Sequence, residues 1–309
     1  MTEPSFEDLV APYRGELRAH CYRMLGSIQD AEDALQNALL GAWQGFGGFE
    51  GRSSVRTWLY RITTNACLRF RERRRVTSVE HGPAWQEVED LGAPLTEIAW
   101  VEPCPDPQVR HDQLASVELA YVAALQLLPA TQRAVLILRE VLTFSAAEVA
   151  EQLDMTVPAV NSALQRARQS LRAGGLSQQD ELAALGEHGQ RRLVDAFVDA
   201  WARADVDALT GLLVEDARLT MPPLAAWFDG RDSIRRFVAE SMFRTPWRLV
   251  PVRANGQLAF ACYQGPEFRL GAVNVVSVRD GRVAAIDAFL DPTLHARFGL
   301  PPVFRATTP

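Results

Sequence analysis

The stretch Ser145–Leu171, SAAEVAEQLDMTVPAVNSALQRARQSL, constrains this chain more than any other. Ser145 followed by Glu148 is a capping box, so a helix starts there. Val149, Ala150 and Leu153 give that helix its apolar face. Asp154-Met155-Thr156 makes the turn. Thr156 suits an N-cap, and Pro158 falls in the first turn, where a missing N–H costs little. The second helix carries Val160, Ala163, Leu164 and Ala167 inward at helical spacing. It offers Asn161, Ser162, Gln165, Arg166 and Arg168 on its other side. Amides and guanidiniums on a helix exposed after a tight turn suit the DNA major groove: Asn and Gln pair bidentately with adenine, Arg with guanine. The same pattern fits an ordinary helical hairpin with a solvated polar face, and this stretch alone leaves both readings open.

The net charge is −6, so any DNA contact must be local rather than a general coating. All 32 basic residues are arginine, which reads as coding bias rather than mechanism. Cys21, Cys67, Cys104 and Cys262 are scattered with no C-x-x-C, which is neither a zinc site nor a disulfide framework and fits a reducing cytoplasm. The start MTEPSFEDLV has no basic and then apolar region, so no secretory signal is expected. No run approaches the roughly 20 apolar residues of a membrane span.

Charge marks the domains. Residues 1–75 hold 11 arginines against 9 acids, whereas 76–113 hold 8 acids and only Arg110. That acidic middle also carries Pro83, Pro94, Pro103, Pro105 and Pro107 and shows little periodicity, so 77–113 reads as a linker. Within it, Ile98-Ala99-Trp100-Val101 is an apolar island that is expected to dock on something. A second, shorter linker is expected near Gly174–Gly189.

The first 76 residues read as helical. Leu17, Cys21, Leu25 and Ile28 repeat at helical spacing before a second helix, DAEDALQNALLGAWQGF, that starts at Asp30. It places Asp30, Glu32, Asp33 and Gln36 near its N-terminus, where acids favour the helix dipole. A Gly-rich loop, Gly45–Ser54, then leads into a helix bearing Arg56, Trp58, Tyr60, Arg61 and Asn65 and ending in Arg69, Arg71, Arg73, Arg74 and Arg75. Arginine interleaved with aromatics suits single-stranded DNA, because aromatic faces stack bases and guanidiniums hold phosphates. The competing reading makes Trp58 and Leu59 core and the arginine run a solvated helix end, and for Trp58 this is the better one.

DAEDALQNALLGAW, SSVRTWLYRITTNACLRFRERRR and LPATQRAVLILREVLTFSAAEVAEQLDMTVPAVNSALQRARQSL, in that order, closely resemble group 4, extracytoplasmic-function (ECF), sigma factors. The resemblance implies two all-α domains, a σ2 helical bundle over 1–76 and a σ4 helix-turn-helix over 114–175. It implies a subunit that binds core RNA polymerase, at the β′ clamp helices and the β flap, recognises −35 and −10 promoter DNA and melts it. By that match Asp30, Glu32, Asp33, Leu35 and Gln36 would face the clamp. The Phe49–Ser54 loop, with Arg52, Ser53 and Ser54, would hold a flipped-out −10 base, and Arg56, Trp58, Arg61 and Asn65 would lie near the melted strand. Asn161, Ser162, Gln165 and Arg166 would read the −35 element, with Arg168 beside them. Ala163 is a departure, since many relatives carry a basic residue on this part of the helix.

The tail, 187–309, is expected to hold helices near 188–203, 205–213 and 231–243, then strands Trp247–Ala254, Leu258–Gln264, Leu270–Arg279 and Arg282–Asp291. Helices followed by a meander resemble the SnoaL-like, NTF2-fold α+β cone, which some ECF subfamilies carry behind σ4. Residues 100–106, WVEPCPD, look like the linker motif that accompanies it, with Trp100 and Pro103 as docking residues. In that subfamily tail and linker regulate the sigma factor in place of a separate anti-sigma factor. Along Val283–Phe289 one face carries Val283, Ala285, Asp287 and Phe289. A carboxylate on an apolar face is expensive unless paired or placed in a pocket, and NTF2-fold cones use such an acid as a general base. Trp201, Trp227, Phe228, Trp247, Tyr263, Asp287 and His295 are therefore the candidate pocket for an unidentified small ligand; the competing reading makes Asp287 a satisfied side chain and the aromatics core.

The reading is thus a promoter-recognising sigma factor with a fused regulatory tail, not an enzyme, with no cofactor, no metal and no membrane partner. Two rivals are a one-component ligand-sensing DNA-binding regulator, which leaves the DAED block and arginine-rich helix unexplained, and a SnoaL-type cyclase or isomerase with a helical appendage.

Overall fold

The computed structural model describes residues 5–51, 53–71, 76–77, 83–85, 87–95, 99–106, 119–171 and 178–305. The chain divides into two units, each made from two stretches: Met1–Ser78 with Pro107–Gly175, and Val79–Asp106 with Leu176–Pro309.

The first unit is helical. Helix α1, Phe6–Val10, opens on a capping box between Ser5 and Asp8. Helix α2, Arg14–Leu25, ends at Gly26, whose φ of 74° is the left-handed stop that glycine supplies without a Cβ penalty. Helix α3, Ile28–Gly45, starts two residues before the expected Asp30, because Ser27 caps it: its side chain accepts from the Asp30 N–H. Helix α4, Val55–Arg71, begins where the Ser54 hydroxyl accepts from Thr57 N at 3.0 Å. After the second stretch enters come α5, Leu119–Leu127, and α6, Ala130–Leu136, which continues through a π-turn at Ile137–Val141. Helices α7, Ala146–Gln152, and α8, Val157–Leu171, complete the unit. Helix α2 packs against α3, α4, α5 and α6, so Leu17, Cys21, Met24 and Leu25 are all buried.

The second unit is α+β. Helix α9, Gln178–Ala202, kinks at Gly186, and α10 spans Val206–Gly211. Strands β1, Leu213–Thr220, and β2, Trp227–Asp229, precede α11, Arg231–Glu240. Then follow β3, Trp247–Ala254; β4, Gln257–Gln264; β5, Arg269–Arg279; β6, Arg282–Phe289; and α12, Pro292–Arg297. The sheet order is β2-β1-β6-β5-β4-β3, and β1 pairs parallel with β6. The aromatic core stacks Phe197 on Phe260 at 4.7 Å and Phe228 on Phe237 at 4.2 Å. Two strands absent from the sequence reading are β1 and β2. In β1 the pair Glu215-Asp216 breaks the apolar alternation, and the pairing with β6 shifts register between Leu213 and Arg218.

A β-bulge in β6 decides which side chains face the cavity. Ser277 pairs with Ala285 and Val278 with Val283, so Ala284 is an extra residue. An extra residue inverts the inside–outside alternation beyond it. Val283 therefore shares the core with Ile286 and Ala288, not with Asp287.

Candidate nucleic-acid interface and tail cavity

The α7–turn–α8 element forms from local chemistry. Glu148 N donates to Ser145 Oγ at 3.2 Å, and Ser145 N donates to Glu148 Oε2 at 2.8 Å, closing the capping box. That backbone bond holds the Glu148 carboxyl below the usual carboxylate range. The turn takes Asp154 to a φ of 53°, and Ala159 N donates to Thr156 Oγ1 at the start of α8. Val160, Ala163, Leu164 and Ala167 are buried, while Asn161, Ser162, Gln165, Arg166 and Arg168 are exposed. Ala163 thus sits inside the element. Arg168 pairs with Glu140 at 2.5 Å, so its charge is shared with a carboxylate of the preceding turn.

On α3, Asp30 and Leu35 are buried, which corrects their expected place on a partner-facing surface. Glu32 and Gln36 are exposed and Asp33 is half-buried. Farther along the same helix, Leu40 and Trp43 are 54% and 61% exposed. At the loop before α4, Phe49 lies 4.8 Å from the Trp58 ring, and both are half-buried. The Ser54 hydroxyl is engaged by the α4 cap, and Ser53 is half-buried. Arg61 is exposed and Asn65 half-buried, whereas Tyr60 is fully buried and belongs to the core. Arg52 and Arg73–Arg75 lie outside the described residues.

Arg56 does not point to a free surface. Its guanidinium sits 4.9 Å from the Tyr60 ring and 4.8 Å from the Phe144 ring, with Glu16 at 3.5 Å. Phe144 precedes α7, so this stack ties the N-terminal helices to the α5–α8 block inside the first unit. A second tie is buried Arg133, which donates to the carbonyls of Leu125, Leu128 and Met24 and to the Gln126 side chain. Gln126 Nε2 in turn donates to Arg23 O at 3.2 Å. Neither tie was legible from spacing, because both join residues far apart in the chain.

In the tail, a cavity of about 330 Å³ is lined by Trp201 and Trp247 among the expected residues. Trp227, Tyr263, Asp287 and His295 do not line it. Asp287 accepts a 2.7 Å hydrogen bond from Thr220 Oγ1, its register partner on β1. His295 Nε2 lies 2.8 Å from Phe289 O, and Tyr263 packs against Phe304 at 5.6 Å. The bulge at Ala284 is the reason: it turns Ile286, Ala288 and Leu290, not Asp287, toward the cavity. No described residue lining the cavity is titratable, no described helix is long and apolar enough to cross a membrane, and no described acid, histidine or cysteine cluster suits a metal.

The acidic proline-rich segment is part of the second unit. Val88 joins the tail core, with Trp85 and Leu91 packed against it. Trp85 N donates to Trp227 O at 2.7 Å and Leu95 N to Pro223 O at 2.9 Å. Beyond them, Pro105 bridges Ala254 at the sheet edge, Asp106 N donates to Arg253 O, and Cys104 N donates to Asn255 Oδ1 at 2.7 Å. Asp106 also accepts from Gly256 N at 2.9 Å, and its burial raises the carboxyl above the usual range. Trp100 and Pro103 are buried, but the residues that enter the tail core are Trp85, Val88 and Leu91, which sequence reasoning passed over. Their spacing at three is the signal that was available.

Comparison with known proteins gives three family matches: sigma-70 region 2 over residues 9–77, sigma-70 region 4 over 118–171 and a SnoaL-like domain over 194–286. The chain is 40% identical over 304 residues to the ECF RNA polymerase sigma factor SigG of Mycobacterium tuberculosis, spanning 94% of this chain and 82% of that one. It is 30% identical over 173 residues to the ECF RNA polymerase sigma factor SigW of Bacillus subtilis, spanning 55% of this chain and 88% of that one. Among solved structures, the Mycobacterium tuberculosis extracytoplasmic function sigma factor SigJ superposes with a TM-score of 0.64 at 20% identity, over 95% of this chain and 99% of that one, so the two share a fold.

Proposed function

The chain belongs to the ECF RNA polymerase sigma factors, and from that premise we propose how its surfaces divide the work of promoter recognition. Helix α8 reads the −35 element through Asn161, Ser162, Gln165 and Arg166. The observation that carries this is the split of the helix: every inward position is apolar and buried, and every base-competent side chain is exposed. Arg61, Asn65 and the Phe49–Trp58 pair serve the −10 strand, where aromatic faces accept unstacked bases. The outer stripe of α3, from Glu32, Asp33 and Gln36 to Leu40 and Trp43, takes the β′ clamp. Large apolar side chains exposed in line with acids favour a protein partner over solvent. The α5–α8 block meets the β flap.

The tail acts as a regulator through the tether. Residues 83–106 join the two DNA-binding blocks in sequence, and their hydrogen bonds to Trp227, Pro223, Arg253 and Asn255 support a tether whose freedom the tail sets. With no acid or base among the described residues of its lining, the tail cavity favours sensing over acid–base catalysis.

In-vitro transcription with core polymerase on a promoter library tests the base readers. Gln165→Ala or Arg166→Ala is expected to cost about 1–3 kcal/mol and to relax preference at one base pair. Unaltered promoter selection in both variants overturns the reading of α8. Pull-down on core polymerase tests α3: Glu32→Arg with Asp33→Arg is expected to weaken binding several-fold by setting like charges against a basic surface. Unchanged affinity removes α3 from the interface.

A further inference from the structure

We propose that Val157 reads a thymine of the −35 element through that base's C5-methyl group, as the first member of a row on α8 that continues with Asn161 and Gln165 and selects A·T pairs. This deepens the reading of α8 given above and rests on it.

The argument starts from an apolar side chain left in water. Val157 opens α8 and is 40% exposed, whereas Val149 of α7 and Val160 and Leu164 of α8 are buried. Pro158 beside it is exposed as well. A lone exposed valine is ordinary on a protein surface, so its place decides the matter. Residues four apart stand next to each other along a helix. Val157, Asn161 and Gln165 form such a row, and all three are exposed. The row runs along one edge of the exposed face, while Val160, Ala163, Leu164 and Ala167 hold the helix to its core.

The chemistry of the row points to one kind of base pair. Thymine alone among the four bases presents a methyl group in the major groove. An aliphatic side chain against that methyl buries apolar surface on both sides. The same side chain against cytosine covers an amino donor, and against a purine it covers the N7 acceptor, without pairing either. A polar group covered and left unpaired carries its desolvation cost, so Val157 favours thymine and disfavours the others. Asn161 and Gln165, next in the row, have the side-chain amides that pair bidentately with adenine. The sequence of α8, VPAVNSALQRARQSL, contains no acid, so no charge on this helix repels the phosphates beside the groove.

Spacing ties the contacts together. Val157 and Asn161 are separated by about 6 Å along the helix axis, at ~1.5 Å per residue. Base pairs are stacked about 3.4 Å apart. The thymine that meets Val157 and the adenine that meets Asn161 therefore belong to pairs within about two steps of each other. The first turn of a recognition helix is also the part that reaches base edges in helix-turn-helix docking, which puts Val157 within reach of the groove floor.

The test uses the full chain with core polymerase. In-vitro transcription from a library randomised across the −35 element first gives the preferred sequence. Val157→Ala, checked for an unchanged circular dichroism spectrum, is expected to relax the choice at one A·T pair. That pair is expected within about two base pairs of the one relaxed by Asn161→Ala. Val157→Thr keeps one methyl group in place and is expected to keep the choice. Each thymine of the preferred element, on either strand, is then replaced in turn by deoxyuridine, which removes the methyl group and nothing else. At one position the parent is expected to lose about fourfold in open-complex formation, the contribution of one buried methyl group. Val157→Ala is expected to lose nothing further there. A preferred element without thymine, a parent indifferent to every replacement, or equal losses in parent and Val157→Ala at every position overturns the thymine contact. Failure of the α8 reading looks different, because Gln165→Ala and Arg166→Ala report on it with Val157 in place. Altered promoter selection in those two variants with no effect of deoxyuridine removes Val157 alone.

Discussion

At the scale of single residues, burial sets the chemistry more than residue type does. His20 on α2 is fully buried with Nε2 at 2.9 Å from Thr64 Oγ1. Burial, and then the charge of Arg23, brings its pKa down to about 3. The folded state holds the ring neutral, and the unfolded state takes up a proton below about pH 6.5. Stability of the first unit is therefore full above pH 6.5 and falls as pH drops toward 3, at up to roughly 1.4 kcal/mol per pH unit from this group. Denaturation curves between pH 7 and 4 are expected to show a shallower loss in His20→Gln than in the parent. An identical slope would exclude His20 as the source. Asp30 makes the same point from the other direction: its acid character suggested a surface role, yet it is 6% exposed.

Among elements, α7 and α8 are specified by their own sequences. Both starts are capped by the side chains that the spacing indicated, Ser145 with Glu148 and then Thr156. Ser145→Ala removes the acceptor for Glu148 N and is expected to lower stability by about 1 kcal/mol, read as a shift in the urea midpoint with an unchanged slope. The sheet is different. Its alternation is broken at Ala284 in β6 and again where Cys262 and Tyr263 of β4 face Ala272 and Leu270 with Gly271 between them. A Cβ at Gly271 would lie 2.5 Å from Nε2 of the Gln264 side chain, so a larger residue there requires that side chain to move. Such an insertion changes only the phase of a period-two pattern, and because each flank still alternates, the short strand does not reveal which flank faces the core.

For the whole molecule, the packing inside the first unit raises a problem of reach. Promoter elements centred near −35 and −10 lie about 85 Å apart at 3.4 Å per base pair. A compact unit of this size is roughly 40 Å across. On the proposed assignment of α8 to the −35 element and α4 to the −10 strand, the α5–α8 block parts from α1–α4 before both act on one promoter. The contacts that have to break are identifiable: the Arg56 stack on Tyr60 and Phe144, and the Arg133 and Gln126 bonds to Met24 O and Arg23 O. Phe144 is 5% exposed and lies 5.4 Å from the Tyr60 ring. Phe144→Ala is expected to weaken this packing by about 3 kcal/mol or more. Small-angle scattering of the free protein should then show a larger radius of gyration, and core polymerase should be engaged at lower sigma concentration. An unchanged radius means that other contacts hold the blocks together.

The amino-acid sequence by itself determined helix α8, its cap and its two faces, because i to i+4 spacing and capping chemistry are local. It also determined the family, through three blocks in fixed order, and the general form of the tail. What only the tertiary structure decided were the partners of each face. It removed Asp30 and Leu35 from the surface, turned Arg56 onto Phe144, and moved Asp287 out of the tail cavity by one inserted residue. It also gave the acidic tether a second role, since Trp85, Val88 and Leu91 become part of the tail's core and wall. The physical reason is common to all four: whether a side chain is buried, paired or free depends on residues tens to hundreds of positions away, and no local period encodes them.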